Sequence, residues 1–184
     1  IAAPVHSATT RASSRGHIDT VAYLIEAKAD INENNGKPVR LAAQEGQQDT
    51  VQVLLEAKAD VNNSPNLFHG CTRWTDIMRL LLAAKANPNN DDGVGLHKSV
   101  KENRLASARA LLEAKADVNI KNKGETAAYK AVVNAYPDAL KMLIAAKADV
   151  KHGAPKGKSL LTAVEKIKSR EARKSIVTIL QLAQ

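Results

Sequence analysis

The sequence predicts an all-α repeat solenoid of about six helix-turn-helix units with shortened turns. Three observations carry this. A short pattern close to Leu-x-Ala-Lys-Ala-Asp recurs at Lys28, Lys58, Lys85, Lys115 and Lys147, with Lys-to-Lys separations of 30, 27, 30 and 32 residues. A period near 30 is that of stacked supersecondary units, each too small to bury its own apolar face. The composition fits tightly packed short helices: 44% hydrophobic residues but only 3% aromatic, so the core is built from Ala, Leu, Ile and Val.

In the first unit, Gly16-His17-Ile18-Asp19 precedes a helix carrying Val21 to Ile25. The second unit is the clearest. Pro38 stands near a helix start, where its missing N–H costs nothing, and Val39, Leu41, Ala42 and Ala43 give a short apolar face. Gly46 ends that helix. Asp49 opens the next with a charge suited to a helix N-terminus, and Val51, Val53, Leu54 and Leu55 carry it to Ala57-Lys58-Ala59. The third unit is the weakest: Pro65 to Gly70 is poor helix material, although Thr75 to Ala84 reads well. In the fourth, a helix runs from Leu96-His97 to about Glu102, and a second from Leu105 to Ala114. In the fifth, Thr126-Ala127-Ala128-Tyr129 opens one helix and Pro137-Asp138 the other, which carries Leu140, Met142, Leu143 and Ile144. Ser159 to Ile167 and Arg170 to Ala183 form a last pair without the Lys pattern. The expected boundaries are 1–32, 33–62, 63–89, 90–119, 120–150 and 151–184, within a single domain of 184 residues.

These residues resemble the ankyrin repeat. Gly36-Lys37-Pro38-Val39-Arg40-Leu41-Ala42 and Val94-Gly95-Leu96-His97 match its opening, Gly16-His17 its mid-point. Leu54 to Asn62 and Leu111 to Asn119 match its close. The likeness covers nearly the whole chain. Two departures stand out. The family's helix-opening His is kept only as His97, with Thr10, Arg40, Leu67, Tyr129 and Thr162 in its place elsewhere, so looser turns are expected there. The family's helix-ending Gly is Lys at all five sites. A non-Gly residue at positive φ costs about 1 kcal/mol, and a cation at a helix C-terminus returns about 0.3–1 kcal/mol, so the exchange is nearly neutral.

The resemblance implies a binding module or scaffold acting on another protein through turn tips and first-helix surfaces, and not an enzyme. Matching family positions gives Asn34, Asn35, Lys37, Asp91, Asp92, Asn122, Lys123 and Glu125 on the turns. At the first-helix ends it gives Arg15, Gln44, Glu45, Lys101, Glu102, Val133 and Asn134. Shortened turns narrow the groove, which suits a second role as a permanent subunit of a larger assembly.

Charge adds a third reading. The net charge is +8, and the segment from Lys151 onward holds eight basic residues against Glu165 and Glu171. Lys166, Arg170, Arg173 and Lys174 have a spacing compatible with one helix face, so they suit an acidic protein or an anionic surface. The alternative is a polar outer cap, which terminal repeats need. Nucleic acid is disfavoured, because no stacking or base-reading motif stands beside this charge.

No metal or cofactor is expected. His6, His17, His69, His97, His152 and Cys71 are scattered, with only a loose His69-x-Cys71 pair. A zinc site needs at least three protein ligands. Gly153 to Ser159 approaches a phosphate loop but is one residue short and follows no strand, so a basic turn feeding a capped helix is expected. Carboxylates recurring once per unit (Asp30, Asp60, Asp117, Asp149) read as structural. The single cysteine excludes an internal disulfide and suits a reducing, intracellular setting. The start at Ile1 is compatible with a removed targeting peptide, leaving cytoplasm or an organelle open, or with a trimmed chain.

Overall fold

A computed structural model describes residues 7–183. His6 lies outside the described residues, as do the outermost positions of the first and last expected units. Among the described residues the chain is helical throughout, with only two isolated bridges, Asn122 to Glu125 and Ala154 to Lys158. The helices pair as α1 (Ala8–Arg15) with α2 (Ile18–Glu26), α3 (Glu33–Glu45) with α4 (Gln48–Glu56), and α5 (Leu67–Gly70) with α6 (Thr75–Ala83). Then come α7 (Asn90–Lys101) with α8 (Leu105–Glu113) and α9 (Ala127–Val133) with α10 (Pro137–Ala145). In the last pair a 3-10 segment, Leu160–Lys166, takes the place of the expected first α-helix and precedes α11 (Arg170–Leu182).

Packing divides the chain into two compact units, Ile1–Asn90 and Asp91–Gln184. In the first, α1, α3 and α5 stack in one layer, and α2, α4 and α6 in the other. In the second, α8, α10 and α11 form one layer, while α9 packs on the Leu160–Lys166 segment. The seams are aliphatic, as the composition requires. Val51 and Leu54 of α4, Ile77, Met78 and Leu81 of α6, Leu111 of α8 and Leu140 and Leu143 of α10 are fully buried or nearly so.

The recurring Ala-Lys-Ala is a helix terminator. Lys28, Lys58, Lys85, Lys115 and Lys147 have φ of 59°, 64°, 64°, 67° and 67°, the left-handed conformation usually given to glycine. This turns the following amide back: Ala59 N–H donates to Leu54 C=O at 2.9 Å, and Lys58 N–H to Leu55 C=O at 2.9 Å. The small Ala59 is buried by the reversal while the Lys58 side chain stays in water. Lys58→Gly should therefore change stability by no more than about 0.5 kcal/mol at low ionic strength, since strain relief and lost dipole attraction offset each other. In high salt the variant should gain on the parent, because only the dipole attraction is screened. Urea titrations at two salt concentrations test this, and a salt-independent difference would contradict it.

Neighbouring repeats are stapled by asparagine, a role the sequence alone did not reveal. Asn32 Oδ1 accepts from Asp60 N–H, Asn62 Oδ1 from Asn87 N–H, and Asn119 Oδ1 from Asp149 N–H, each at 2.7 Å. The amide nitrogens of Asn62 and Asn119 donate to the carbonyls of the capping residues Lys85 (3.0 Å) and Lys147 (3.3 Å). The recurring carboxylates are structural, as expected: Asp30, Asp60, Asp117 and Asp149 each accept the backbone N–H two residues on, at 2.8 to 2.9 Å. At the end of the series Lys151 stands where Asn32, Asn62 and Asn119 stand in their repeats.

Candidate functional site

The turns that precede α-helical runs in two repeats share an uncommon backbone. Asn34, Asn35 and Gly36 are all left-handed (φ 49°, 59°, 65°), and so are Asp91, Asp92 and Gly93 (φ 54°, 55°, 65°). Each is one tight left-handed turn. Asn and Asp tolerate this region better than other side-chain-bearing residues, and Gly has no Cβ to object. A Cβ on Gly36 would lie 2.9 Å from the Asp60 carbonyl oxygen. The turn at Asn122–Glu125 is different: a two-residue hairpin with Lys123 (φ 54°) and Gly124 (φ 79°) at its tip. The turns are therefore short, as expected, and they are locked in conformation.

The fifteen expected contact residues divide by what their side chains already do. Arg15, Asn34, Asn35, Glu45, Asp91, Asp92, Lys101, Glu102, Lys123 and Asn134 are exposed. Lys37, Gln44, Asn122, Glu125 and Val133 are half-buried. Several serve the fold. Gln44 donates to Asn66 C=O at 3.4 Å and covers Gly70. Asn122 donates to the Asp91 and Asp92 carbonyls at 3.4 and 3.5 Å, tying one turn to its neighbour. Glu125 pairs with Lys130 and Glu102 with Lys98, each at 3.7 Å. Asn134 donates to the Lys130 carbonyl at 2.8 Å, near the end of its own helix.

One surface residue was missed. Trp74, the only tryptophan, precedes α6 and stays 39% exposed. Its ring lies over Gly46, and Nε1 donates to Gln44 C=O at 3.3 Å. A lone tryptophan at a helix start, in a chain this poor in aromatics, was the available signal.

The family histidine and two of its replacements make side-chain hydrogen bonds to other elements. His97 Nε2 carries its proton to the Ile120 carbonyl at 2.9 Å. At Thr10 the hydroxyl reaches Glu33 at 2.6 Å, and that carboxylate also takes the hydroxyl of Ser7. At Tyr129 the phenol meets Lys166. So Thr10 anchors the turn that begins at Glu33, and Tyr129 anchors the end of the Leu160–Lys166 segment.

His97 Nδ1 is buried without a hydrogen-bond partner. Burial holds the His97 pKa below the usual histidine value; the Ile120 bond opposes this, Lys130 reinforces it and Glu125 opposes it. Above the ordinary value near 6.5 the ring is neutral both folded and unfolded. Below it the unfolded chain takes up a proton that the folded chain refuses, so stability falls as pH drops from there toward the folded value. The melting temperature should fall between pH 7 and 5, and fall less in His97→Gln, which keeps a donor but does not titrate. Equal slopes for the two proteins would refute this origin.

The expected basic face of the last repeat is not assembled as the helical spacing implied. Arg170, Arg173 and Lys174 lie on α11, but Lys166 ends the separate 3-10 segment, because the helical path is interrupted from Ile167 to Ser169. Arg173 is already occupied, donating to the Ile167 carbonyl from Nε (3.2 Å) and Nη2 (2.5 Å). Arg170 and Lys174 remain exposed. The turn Gly153 to Ser159 is a basic turn feeding a capped segment, as expected: the Ser159 hydroxyl accepts from Leu161 N–H at 3.3 Å. Among the described residues no group of three or more His, Cys, Asp or Glu side chains is placed to hold a metal ion, and no helix is long and apolar enough to cross a membrane. His69 is exposed whereas Cys71 is buried, so the pair does not converge outward.

A family model described as ankyrin repeats (3 copies) matches residues 4–64 and 68–154. The fold is similar to the crystal structure of the human ASB11 ankyrin repeat domain, with TM-score 0.75 and 19% identity over 95% of this chain and 84% of that one. It is also similar to a chain in the structure of the Bd0816 predatory endopeptidase from Bdellovibrio bacteriovorus in complex with immunity protein Bd3460, with TM-score 0.77 and 22% identity over 94% of this chain and 98% of that one. No curated protein matches in sequence.

Proposed function

This chain belongs to the ankyrin-repeat family, a general protein–protein interaction module, and from that premise we propose that it binds a partner protein through its turn tips and first-helix ends. The observation that carries the reading is the left-handed turn. Asn34 and Asn35 in one unit, and Asp91 and Asp92 in the other, are exposed on backbones with little freedom left to lose. A partner that docks there meets pre-ordered groups, which lowers the entropic cost of association. Trp74 supplies the type of rigid, amphipathic side chain that dominates interface energetics. One structure of similar fold comes from a complex of an endopeptidase with an immunity protein.

The test begins with affinity capture by the intact chain from native extract and identification of the captured protein. Affinity is then measured for Trp74→Ala, Glu45→Lys and the pair Asn34→Asp with Asn35→Asp, which keeps residues suited to left-handed backbone. A loss of about tenfold or more in at least one variant, with unchanged melting, is expected. Unchanged affinity in all of them would overturn the reading.

A further inference from the structure

The last repeat holds a cleft that the helical reading of its charges overlooked. A hollow of about 400 Å³ lies between α9, the Gly153–Ser159 turn and the Leu160–Lys166 segment. Lys156, Lys158 and Lys166 line it, against one carboxylate, Glu165. Pro155 and Ala163 give it an apolar wall, and Tyr129 contributes its phenol.

Tyr129 and Lys166 make this more than a loose group of lysines. The Lys166 ammonium donates to the Tyr129 hydroxyl oxygen at 2.5 Å and lies 5.2 Å from the ring centroid. That separation matches the ammonium extending outward from the hydroxyl along the ring axis, so the contact is a hydrogen bond and not a stack on the ring face. With its oxygen accepting from Lys166, the phenol keeps its own proton to donate. The same bond favours the ammonium form and holds Lys166 above the usual lysine range, so it stays charged. One cation is thus held in place and a hydroxyl donor stands beside it, while Lys156 and Lys158 supply adjustable charge from an exposed turn.

We propose that this cleft binds a carboxylate side chain of an acidic segment on the partner protein. The lining charges are complementary to it. The apolar wall receives the methylene stem that carries a glutamate carboxylate and that a bare phosphate lacks. A nucleobase finds no platform, since the Tyr129 residue is only 5% exposed. The cleft belongs to the turn and first-helix side that the proposed function assigns to the partner, and the inference rests on that reading.

The probe is a fluorescent hexaglutamate peptide, titrated into the intact chain by anisotropy. Saturable, salt-sensitive binding is expected, weakened about tenfold by Lys156→Gln with Lys158→Gln. Tyr129→Phe, which keeps the buried ring but frees Lys166 and removes the donor, should weaken it about threefold to tenfold. Arg170→Gln with Lys174→Gln should leave it unchanged. Melting curves verify that each variant is folded. The proposal is overturned if hexaglutamate does not bind, if the Arg170 and Lys174 pair matters instead, or if inorganic phosphate, anionic vesicles or oligothymidylate bind the cleft more tightly than the peptide. A protein partner captured through the turn tips with no hexaglutamate binding sinks this inference alone. Hexaglutamate binding with no effect of any turn-tip variant sinks the broader reading alone.

Discussion

Phe68→Ala is expected to cost about 3–5 kcal/mol, a large share of the stability a domain of this size ordinarily has. α5 has only four residues, so it offers its neighbours almost no helical surface. What it does offer is Leu67 and Phe68, both fully buried or nearly so, with Phe68 the largest such side chain described. The helix packs on α3, whose Val39, Ala42 and Ala43 are also fully buried. Removing the ring would leave a cavity that a single helical turn is too short to close. Phe68→Leu, which keeps most of the volume, should cost about 1–1.5 kcal/mol. Chemical denaturation measures both, with hydrogen exchange locating the loss. If Phe68→Ala cost less than Phe68→Leu is expected to, the ring would not be the anchor of this repeat.

Gly36→Ala should cost about 2–4 kcal/mol. The left-handed φ of 65° accounts for about 1 kcal/mol, and overpacking for the rest. The new Cβ would meet the Asp60 carbonyl oxygen at 2.9 Å and the Ser64 Cβ at 3.2 Å. The first of these is backbone at the close of the same unit, and the second belongs to the unit that follows. Gly124→Ala is the matched control: φ is 79°, and nothing lies within 4 Å of the added carbon. Its cost should stay near 1 kcal/mol, the conformational part alone. Equal losses at both positions would show that the close approach of Asp60 and Ser64 at Gly36 contributes nothing.

The two cases mark where the sequence was readable. The capping lysines were legible because a helix end is a local event: a period of 30, an apolar run and Ala-Lys-Ala suffice to place a left-handed residue. Phe68 was not, since Pro65 to Gly70 lacks any helical period and its value lies in contacts with a segment more than twenty residues away. The asparagine staples recur in plain view, yet their partners sit one repeat on, where spacing alone names no bond. Asn34-Asn35-Gly36 and Asp91-Asp92-Gly93 are turn compositions, so the turns were expected, but three left-handed residues in succession were not. Lys166 was grouped with Arg170, Arg173 and Lys174 on one helix because the 3.6-residue rhythm was carried across Ile167 to Ser169, where the backbone leaves the helix. Of the contact candidates, the exposed turn tips were reachable by position, whereas the structural duties of Gln44 and Asn122 depend on cross-repeat geometry.

Lys151 bears on how an array of this kind grows. An asparagine there would offer an oxygen to an amide at the close of a following brick; lysine has donors only. A duplication that copied the stretch ending at Asn119 would therefore carry a working clasp with it, and the newcomer could be spliced in upstream. The brick that follows Lys151 has no such latch and is held instead by packing, Leu160–Lys166 on α9 and α11 on α10, so the array exchanges its clasp for an oily joint there.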